Sequence, residues 1–405
     1  MRYSKRLEHF MGIVMKWLEL YFLQSGLLHY SERLMSKFLR ILKTRGKVEA
    51  IRFCKERRSS IYLWLTTMDS LSKSQRLNPK WELPKDLRFL KYIKELDYPG
   101  IRLILSTLYI SRGLELPVNP SITSITGPPI GSFPDISKYT LDFWKALGYT
   151  RKKCVPKAVY WRKFHLSTKT GPNGQALWSA VADLSALPES LVDSIKVVGG
   201  KRLAFRMDTL KRYLHIFLPF FSCRGEEIRK VSPIPDQEGK TREVAILDYW
   251  SQSSLRGLHQ YLFRVLRKIP QDCTFNQGSF QGKIGSWNND YLYHSVDLTT
   301  ATDRFPIALI QSVLKGTFDD NYVRSWHNIM VGYPFRFQGS SYINYSVGNP
   351  MGAYSSWNSF AVSHHYVVYY CCRELGIDWS DAPYVILGDD IVIKHDILAK
   401  KYMEV

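Results

Sequence analysis

The 405-residue chain is 45% hydrophobic and 14% aromatic, and its 56 Lys and Arg outnumber 36 Asp and Glu to give a formal net charge of +20. That much apolar material excludes disorder as the dominant state and leaves room for two or three domains, or one large body with subdomains. The charge excess points to a polyanionic partner, either nucleic acid or an anionic membrane surface. Six cysteines, with no Cys-x-x-Cys pair and with Cys371 beside Cys372, exclude a disulfide framework and a cysteine zinc site and suit a reducing compartment.

The N-terminus, MRYSKRLEHFMGIVMKWLEL, is basic and amphipathic. Glu8, Glu19 and the lack of a small-residue cleavage site make it no secretory signal and a poor mitochondrial presequence. Its amphipathicity also suits a peripheral membrane protein. No apolar run reaches the roughly 18 residues of a membrane span, so an integral membrane segment is not expected. Residues 11–110 read as helices, with apolar positions such as Leu18, Tyr21, Leu28, Leu34, Phe38, Ile41 and Leu42 recurring at three- and four-residue spacing. Basic residues crowd positions 40–58, forming either a solvated helix face or one that meets RNA.

Residues 116–139 turn rich in Pro, Gly, Ser and Thr, the clearest boundary in the chain. Beyond it Arg151, Lys152, Lys153, Lys157, Arg162, Lys163 and Lys169 follow one another with no intervening acid, and Tyr160, Trp161 and Phe164 lie among them. Cations for phosphates and rings for bases are the make-up of a groove that tracks a single strand. The stretch GPNG at 171–174 reads as a turn, and Leu255, Leu258, Leu262, Leu266 and Ile269 mark one stripe of a helix over about 249–269. Lys240 and Arg242, two apart ahead of an apolar strand, face the same side of an extended segment, as a grip on a triphosphate requires; an exposed basic turn is the plainer reading.

The chemistry-bearing carboxylates come late. In SVDLTTATDRFP (295–306), the β-rich approach places Asp297 at a strand end and Asp303 one turn further on. In YVILGDDIVI (384–393), apolar β-formers flank Gly388, Asp389 and Asp390 and predict a hairpin with two acids at its tip. Two carboxylates about 4 Å apart repel by about 4 kcal/mol at an effective dielectric near 20. Divalent ions relieve that repulsion, and a pair of ions bridged by carboxylates is the standard device for in-line phosphoryl displacement. Taken alone, the two acids read more simply as turn-formers. Between the two segments, SVGNPMGAYSSWNSF (346–360) predicts a Gly-rich loop through Gly348 and Gly352, followed by a helix opened by Ser355, Ser356 and Asn358. Such a loop brings backbone close to a ligand, and the helix start offers N–H groups and hydroxyls to phosphate or sugar.

In order along the chain, KTR at 240–242, DLTTATDRFP at 297–306, GNPMGAYSSW at 348–357 and LGDDIVI at 387–393 resemble the RNA-dependent RNA polymerases of mitoviruses, capsidless RNA elements that replicate in mitochondria. STKTGPNGQAL at 167–177, IPDQEGKTREVAILDYWSQ at 234–252 and QDCTFNQ at 271–277 look similar as well. The resemblance implies an α+β right-hand polymerase: a helical N-terminal region (1–115), a Pro/Gly-rich linker leading into the fingers (116–150), fingers (151–290) and an antiparallel palm (291–405). It implies that Asp297, Asp389 and Asp390 hold two Mg2+ or Mn2+ ions and are catalytic. It implies that Asp303, with Ser355, Ser356 or Asn358 and the Gly352 loop, senses the ribose 2′-hydroxyl, and that Lys240 and Arg242 hold the nucleotide's phosphates. Partners would be an RNA template and product strand and ribonucleoside triphosphates, in the host mitochondrion. A reverse transcriptase would carry an aromatic residue where Leu387 stands and a bulky ring near Asp303, so ribonucleotides are favoured.

Only 15 residues follow Asp390, with Lys394, Lys400 and Lys401 too near the hairpin to be assigned as a general acid. The resemblance therefore leads to the expectation of a polymerase cut short, with an incomplete palm, no thumb and no activity as given. An alternative of another class is a non-catalytic basic RNA-binding remnant in which the acids are idle. Only the polymerase reading predicts divalent-ion binding.

Overall fold

A computed structural model describes residues 2–22, 26–71, 83–92, 97–131, 134–149, 165–220, 227–287 and 292–405. The basic and aromatic segment from Arg151 to Lys163 lies outside the described residues. The chain divides into two compact units, one of residues 1–120 with 233–242 and one of residues 121–232 with 243–405.

In the first unit, α1 (Arg2–Tyr21), α2 (Leu28–Leu71, kinked at Gly46) and α3 (Tyr98–Leu108) follow the apolar periodicity of the sequence. Leu34, Phe38, Ile51, Ile61, Leu103 and Ile104 meet in its core. Arg58 is buried there; its guanidinium donates to the Leu108 carbonyl and pairs with Glu238 at 2.7 Å. A buried charge is tolerable when it is paired and hydrogen-bonded in this way.

The second unit contains short helices α4 (Thr123–Thr126) and α5 (Thr140–Ala146), a hairpin of β1 (Thr170–Gly171) and β2 (Gly174–Gln175), and α6 (Ala176–Ala186), α7 (Glu189–Arg212) and α8 (Leu214–Phe217). Next come β3 (Arg229–Pro235) and β4 (Thr241–Leu247), whose intervening residues group with the first unit, and then α9 (Tyr249–Leu266) and α10 (Ser279–Gly285). The rest is β5 (His294–Asp297), α11 (Ala301–Arg304), α12 (Ile307–Lys315), α13 (Asp320–Val331), β6 (Phe335–Phe337), β7 (Ser341–Ile343), α14 (Ser356–Leu375), β8 (Tyr384–Leu387), β9 (Asp390–Ile393) and α15 (Asp396–Glu404). One sheet runs β4-β3-β6-β7, with β3 parallel to β6; the other, β5-β9-β8, is antiparallel throughout.

Residues 121–149, read from sequence as part of a linker, pack into this second unit: Ile125, Phe143 and Trp144 are fully buried, and the Trp144 indole donates to the Val313 carbonyl. The GPNG turn is equally well anchored. Asn173 donates to the buried carboxylate of Asp183, which also accepts from the Tyr249 amide at the start of α9. Burial pushes the Asp183 pKa up to about 7. The α9 stripe of Leu255, Leu258, Leu262, Leu266 and Ile269 is buried along its length, and Asp248 caps the helix by accepting from the amides of Trp250 and Ser251.

At the centre lies α14, buried on nearly every side and contacted by α9, α12 and α15. Much of its enclosed surface is apolar, supplied by Phe360, Ala361, Val362, Tyr366, Val368 and Cys371, and it also buries polar residues, among them Ser359, His364 and His365. Replacing Leu258 with Ala in α9 should lower unfolding stability by about 2–5 kcal/mol, because the site is closed on all sides and cannot collapse. The urea midpoint followed by circular dichroism reads this; an unchanged midpoint would mean that α9 does not carry the core.

Candidate functional site

The three-stranded sheet brings the late carboxylates together. β5 pairs antiparallel with β9 so that Asp297 lies directly opposite Asp390, and β8 and β9 are joined by the two-residue turn Gly388-Asp389, closed by the Leu387–Asp390 pair. Opposed residues on an antiparallel pair project to the same face with their Cβ atoms about 5 Å apart. Gly388 opens the turn at φ +66°, a conformation that glycine adopts without strain. The Leu298 amide donates to the Asp389 carbonyl, tying the end of β5 to the turn.

Asp297, Asp389 and Asp390 are all exposed. The Asp390 pKa is raised, first by partial burial and then by the charges of Asp389 and Asp297, and no cation among the described residues offsets these effects. Among the described residues, no three His, Cys, Asp or Glu side chains close into a metal cage. The trio forms an open edge of oxygen donors with uncompensated charge. Such a donor set fits a hard divalent cation such as Mg2+ or Mn2+, which keeps several of its waters.

Two adjacent histidines of α14, absent from the sequence-based site, hold this hairpin from beneath. His364 is fully buried; its Nδ1 lies 2.8 Å from the Gly388 carbonyl and its Nε2 lies 2.7 Å from the Tyr402 hydroxyl. A carbonyl only accepts, so Nδ1 carries the proton and the Tyr402 hydroxyl donates to Nε2. Burial pushes the His364 pKa down to about 4, which keeps the ring neutral in this role. His365 ends a second chain at the base of the hairpin. The Trp379 indole donates to the Tyr384 hydroxyl (2.7 Å), that hydroxyl donates to His365 Nδ1 (3.0 Å), and His365 Nε2 donates to Asp272 (3.2 Å). The neighbouring backbone joins in, with Ile386 and Cys273 exchanging bonds with the 271–273 strand-like segment and β8 respectively.

The Gly-rich segment lies against Asp303. Thr300 turns the chain with φ +51°, and the Asn349 amide donates to the Thr302 carbonyl. Gly348 sits so close that a Cβ there would fall 2.3 Å from the Asp303 backbone. Asp303 accepts from the Ser124 hydroxyl through one oxygen and has no partner for the other; burial, with the charge of Glu243 nearby, raises its pKa. Asn349, a residue the sequence did not single out, is fully buried with an unpartnered Nδ2, and its Oδ1 takes a short hydrogen bond from the Ser356 hydroxyl. Ser356 is thus brought to the Asp303 neighbourhood through Asn349.

Ser355 and Asn358 are not brought there. The Ser355 hydroxyl accepts from the Trp326 indole, and Asn358 donates to the His259 carbonyl, so both pack inward against neighbouring helices. The physical reason is local backbone: Ser355 precedes α14 in a left-handed conformation (φ +68°), and Asn358, two positions on from Ser356, faces another side of the helix. Gly352 is exposed and, at φ +109°, lets the loop approach the Ala245 carbonyl. Lys240 is exposed and Arg242 pairs with Asp236 at 2.6 Å, both within the first unit. Lys169 is exposed; Arg151, Lys152, Lys153, Lys157, Arg162 and Lys163 lie outside the described residues. Lys394 is buried, with its ammonium 3.1 Å from the Tyr293 hydroxyl.

Residues 158–405 match the family of mitovirus RNA-dependent RNA polymerases. The chain is 32% identical over 318 residues to the RNA-directed RNA polymerase of Cryphonectria parasitica mitovirus 1, covering 74% of this chain and 38% of that protein. It is 35% identical over 147 residues to an uncharacterized mitochondrial protein of Arabidopsis thaliana, covering 34% of this chain and 69% of that one. A second such Arabidopsis protein is 31% identical over 150 residues, covering 34% and 57% respectively. The chain therefore spans well under half the length of the mitovirus relative.

The carboxylate trio makes a paired prediction about stability. Asp390 takes up its proton more readily in the folded chain than in the unfolded one, so the cluster costs stability above its raised pKa and that cost fades as pH falls through it. In EDTA at pH 7, Asp389→Asn should raise the melting temperature by about 1–2 °C, with the gain shrinking towards acid pH. A lower melting temperature for the variant would contradict the repulsion.

Proposed function

The chain belongs to the mitovirus RNA-dependent RNA polymerase family, and from that premise we propose that it carries the nucleotidyl-transfer centre of an RNA-directed RNA polymerase. The observation that carries this reading is the register that sets Asp297 opposite Asp390 at the end of one sheet, with Asp389 in the adjoining turn. In this reading the β5-β9-β8 sheet is the palm, the helices of residues 1–115 are the N-terminal region, and residues 151–290 belong to the fingers.

In the proposed reaction the 3′-hydroxyl of the growing strand gives its proton to solvent water and its oxygen forms a bond to the α-phosphorus of a ribonucleoside triphosphate. The bond from that phosphorus to the bridging oxygen breaks, and pyrophosphate leaves with the electron pair. Bound divalent ions would supply Lewis acidity at the attacking and leaving oxygens, held by Asp297, Asp389 and Asp390. The chain's own residues orient the sugar: Asp303 and Asn349 each have a buried unpartnered polar atom, one acceptor and one donor, as a group reading a hydroxyl requires. Ser356 holds the Asn349 amide in orientation. Lys240 is assigned to the triphosphate, and Arg242 could join it by exchanging its Asp236 partner. Lys169 and the basic residues 151–163 are assigned to RNA. The mitochondrial proteins among the relatives support a mitochondrial location.

Titration calorimetry of the 405-residue chain with Mn2+, in the presence of a non-hydrolysable ribonucleoside triphosphate, tests this reading. Two ions should bind, and Asp297→Asn should weaken binding at least about tenfold. Binding unchanged in the variant would contradict the assignment, and RNA binding without any Mn2+ binding would favour the non-catalytic alternative.

A further inference from the structure

Among the described residues, the N-terminal helix carries an apolar face that its own unit leaves exposed. On α1, Met15 and Leu18 are buried, and Val14 and Phe22 are partly so, packed with the core of α2 and α3. Ile13, Trp17, Leu20 and Tyr21 are instead 52%, 62%, 70% and 72% exposed. At about 100° per residue, these four occupy one continuous arc about 100° wide, next to the buried arc. Lys16, also exposed, flanks the stripe, and the helix opens with Arg2, Lys5 and Arg6 in its sequence. Isolated exposed apolar residues need no explanation, but four large ones aligned on one helix face do.

We propose that this face of α1 docks on an anionic lipid surface, with the helix lying in the interface. The charge complementarity is strong: residues 1–120 carry 23 Lys and Arg against 11 Asp and Glu, a net charge of +12. A second copy of the chain would present the same positive charge and repel. RNA is the other anionic candidate, but Ile13 and Leu20 offer nothing to a base, and the Trp17 and Tyr21 rings already stack on each other at 5.2 Å. Aliphatic side chains with Trp and Tyr, bordered by Lys, are the make-up of a helix buried to its midline among lipid headgroups. Among the described residues no helix is long and apolar enough to cross a membrane. The inference draws nothing from the carboxylate site and stands or falls apart from it.

Co-sedimentation of the full chain with phosphatidylcholine vesicles, with and without cardiolipin, tests the proposal. Partitioning should be at least about tenfold stronger on the cardiolipin vesicles and should fall as salt rises. The double variant Trp17→Ser, Leu20→Ser should lose at least about tenfold in partitioning while keeping its melting temperature, since both side chains are exposed. Trp17→Phe with Leu20→Met should retain binding. Equal partitioning of wild type and the Ser variant would overturn the proposal. So would a Ser variant that loses RNA binding or dissociates a dimer with vesicle binding unchanged, which would give the stripe to RNA or to a second copy.

Discussion

Three carboxylates gathered at the end of one small sheet repel one another, and the second unit is built so that they cannot move apart. The antiparallel register fixes Asp297 opposite Asp390, and the tight Gly388-Asp389 turn removes the slack through which the third acid could swing away. A two-residue turn alone would yield, because an isolated hairpin is marginal in water. What keeps it in place is α14, the most enclosed helix of the unit, which presents His364 to the turn and His365 to the base of the same hairpin. Consecutive positions on a helix point about 100° apart, so neighbouring side chains can reach two separate points along one strand pair.

Neutrality is what makes the histidine pair suitable. A cation beneath the turn would cancel part of the negative charge that a metal ion needs, whereas a neutral imidazole donates one hydrogen bond and accepts another without adding charge. Full burial enforces this state by penalising the protonated ring, and the Tyr402 and Tyr384 hydroxyls satisfy the remaining nitrogens. Both imidazole rings are therefore fully paired, and a paired network in a dry interior fixes one geometry firmly. Asp303 and Asn349, at the place proposed for substrate, each keep an unpartnered buried atom.

Much of this architecture was legible in the sequence where a local pattern encodes it. Apolar β-formers on both sides of Gly388-Asp389-Asp390 gave the hairpin, the β-rich run before Asp297 gave its strand, and the leucine stripe gave α9. Long-range pairings left no local trace. His364 and His365 sit in an apolar helix like any polar residues of a core, and only the fold reveals that their partners are 24 and 19 positions away on the hairpin. Asn349, hidden between Gly348 and Pro350, reads as loop chemistry until its amide is seen against Thr302. Ser355, Ser356 and Asn358 open the same helix in one dimension; the left-handed cap at Ser355 and the helical register of Asn358 separate them from Ser356. The parallel pairing of β3 with β6, across about a hundred residues, and the grouping of residues 233–242 with the N-terminal helices likewise had no sequence signal.

The central claim is that the opposed strands make one metal-binding edge out of acids far apart in the chain. Anomalous diffraction at the manganese edge, from crystals of this protein soaked in Mn2+ with a ribonucleotide, addresses it most directly. The account predicts density about 2.1 Å from carboxylate oxygens of both Asp297 and the Asp389–Asp390 pair, with two peaks about 3.5–4 Å apart. Manganese bound at other residues, with these three carboxylates left in solvent, would contradict it.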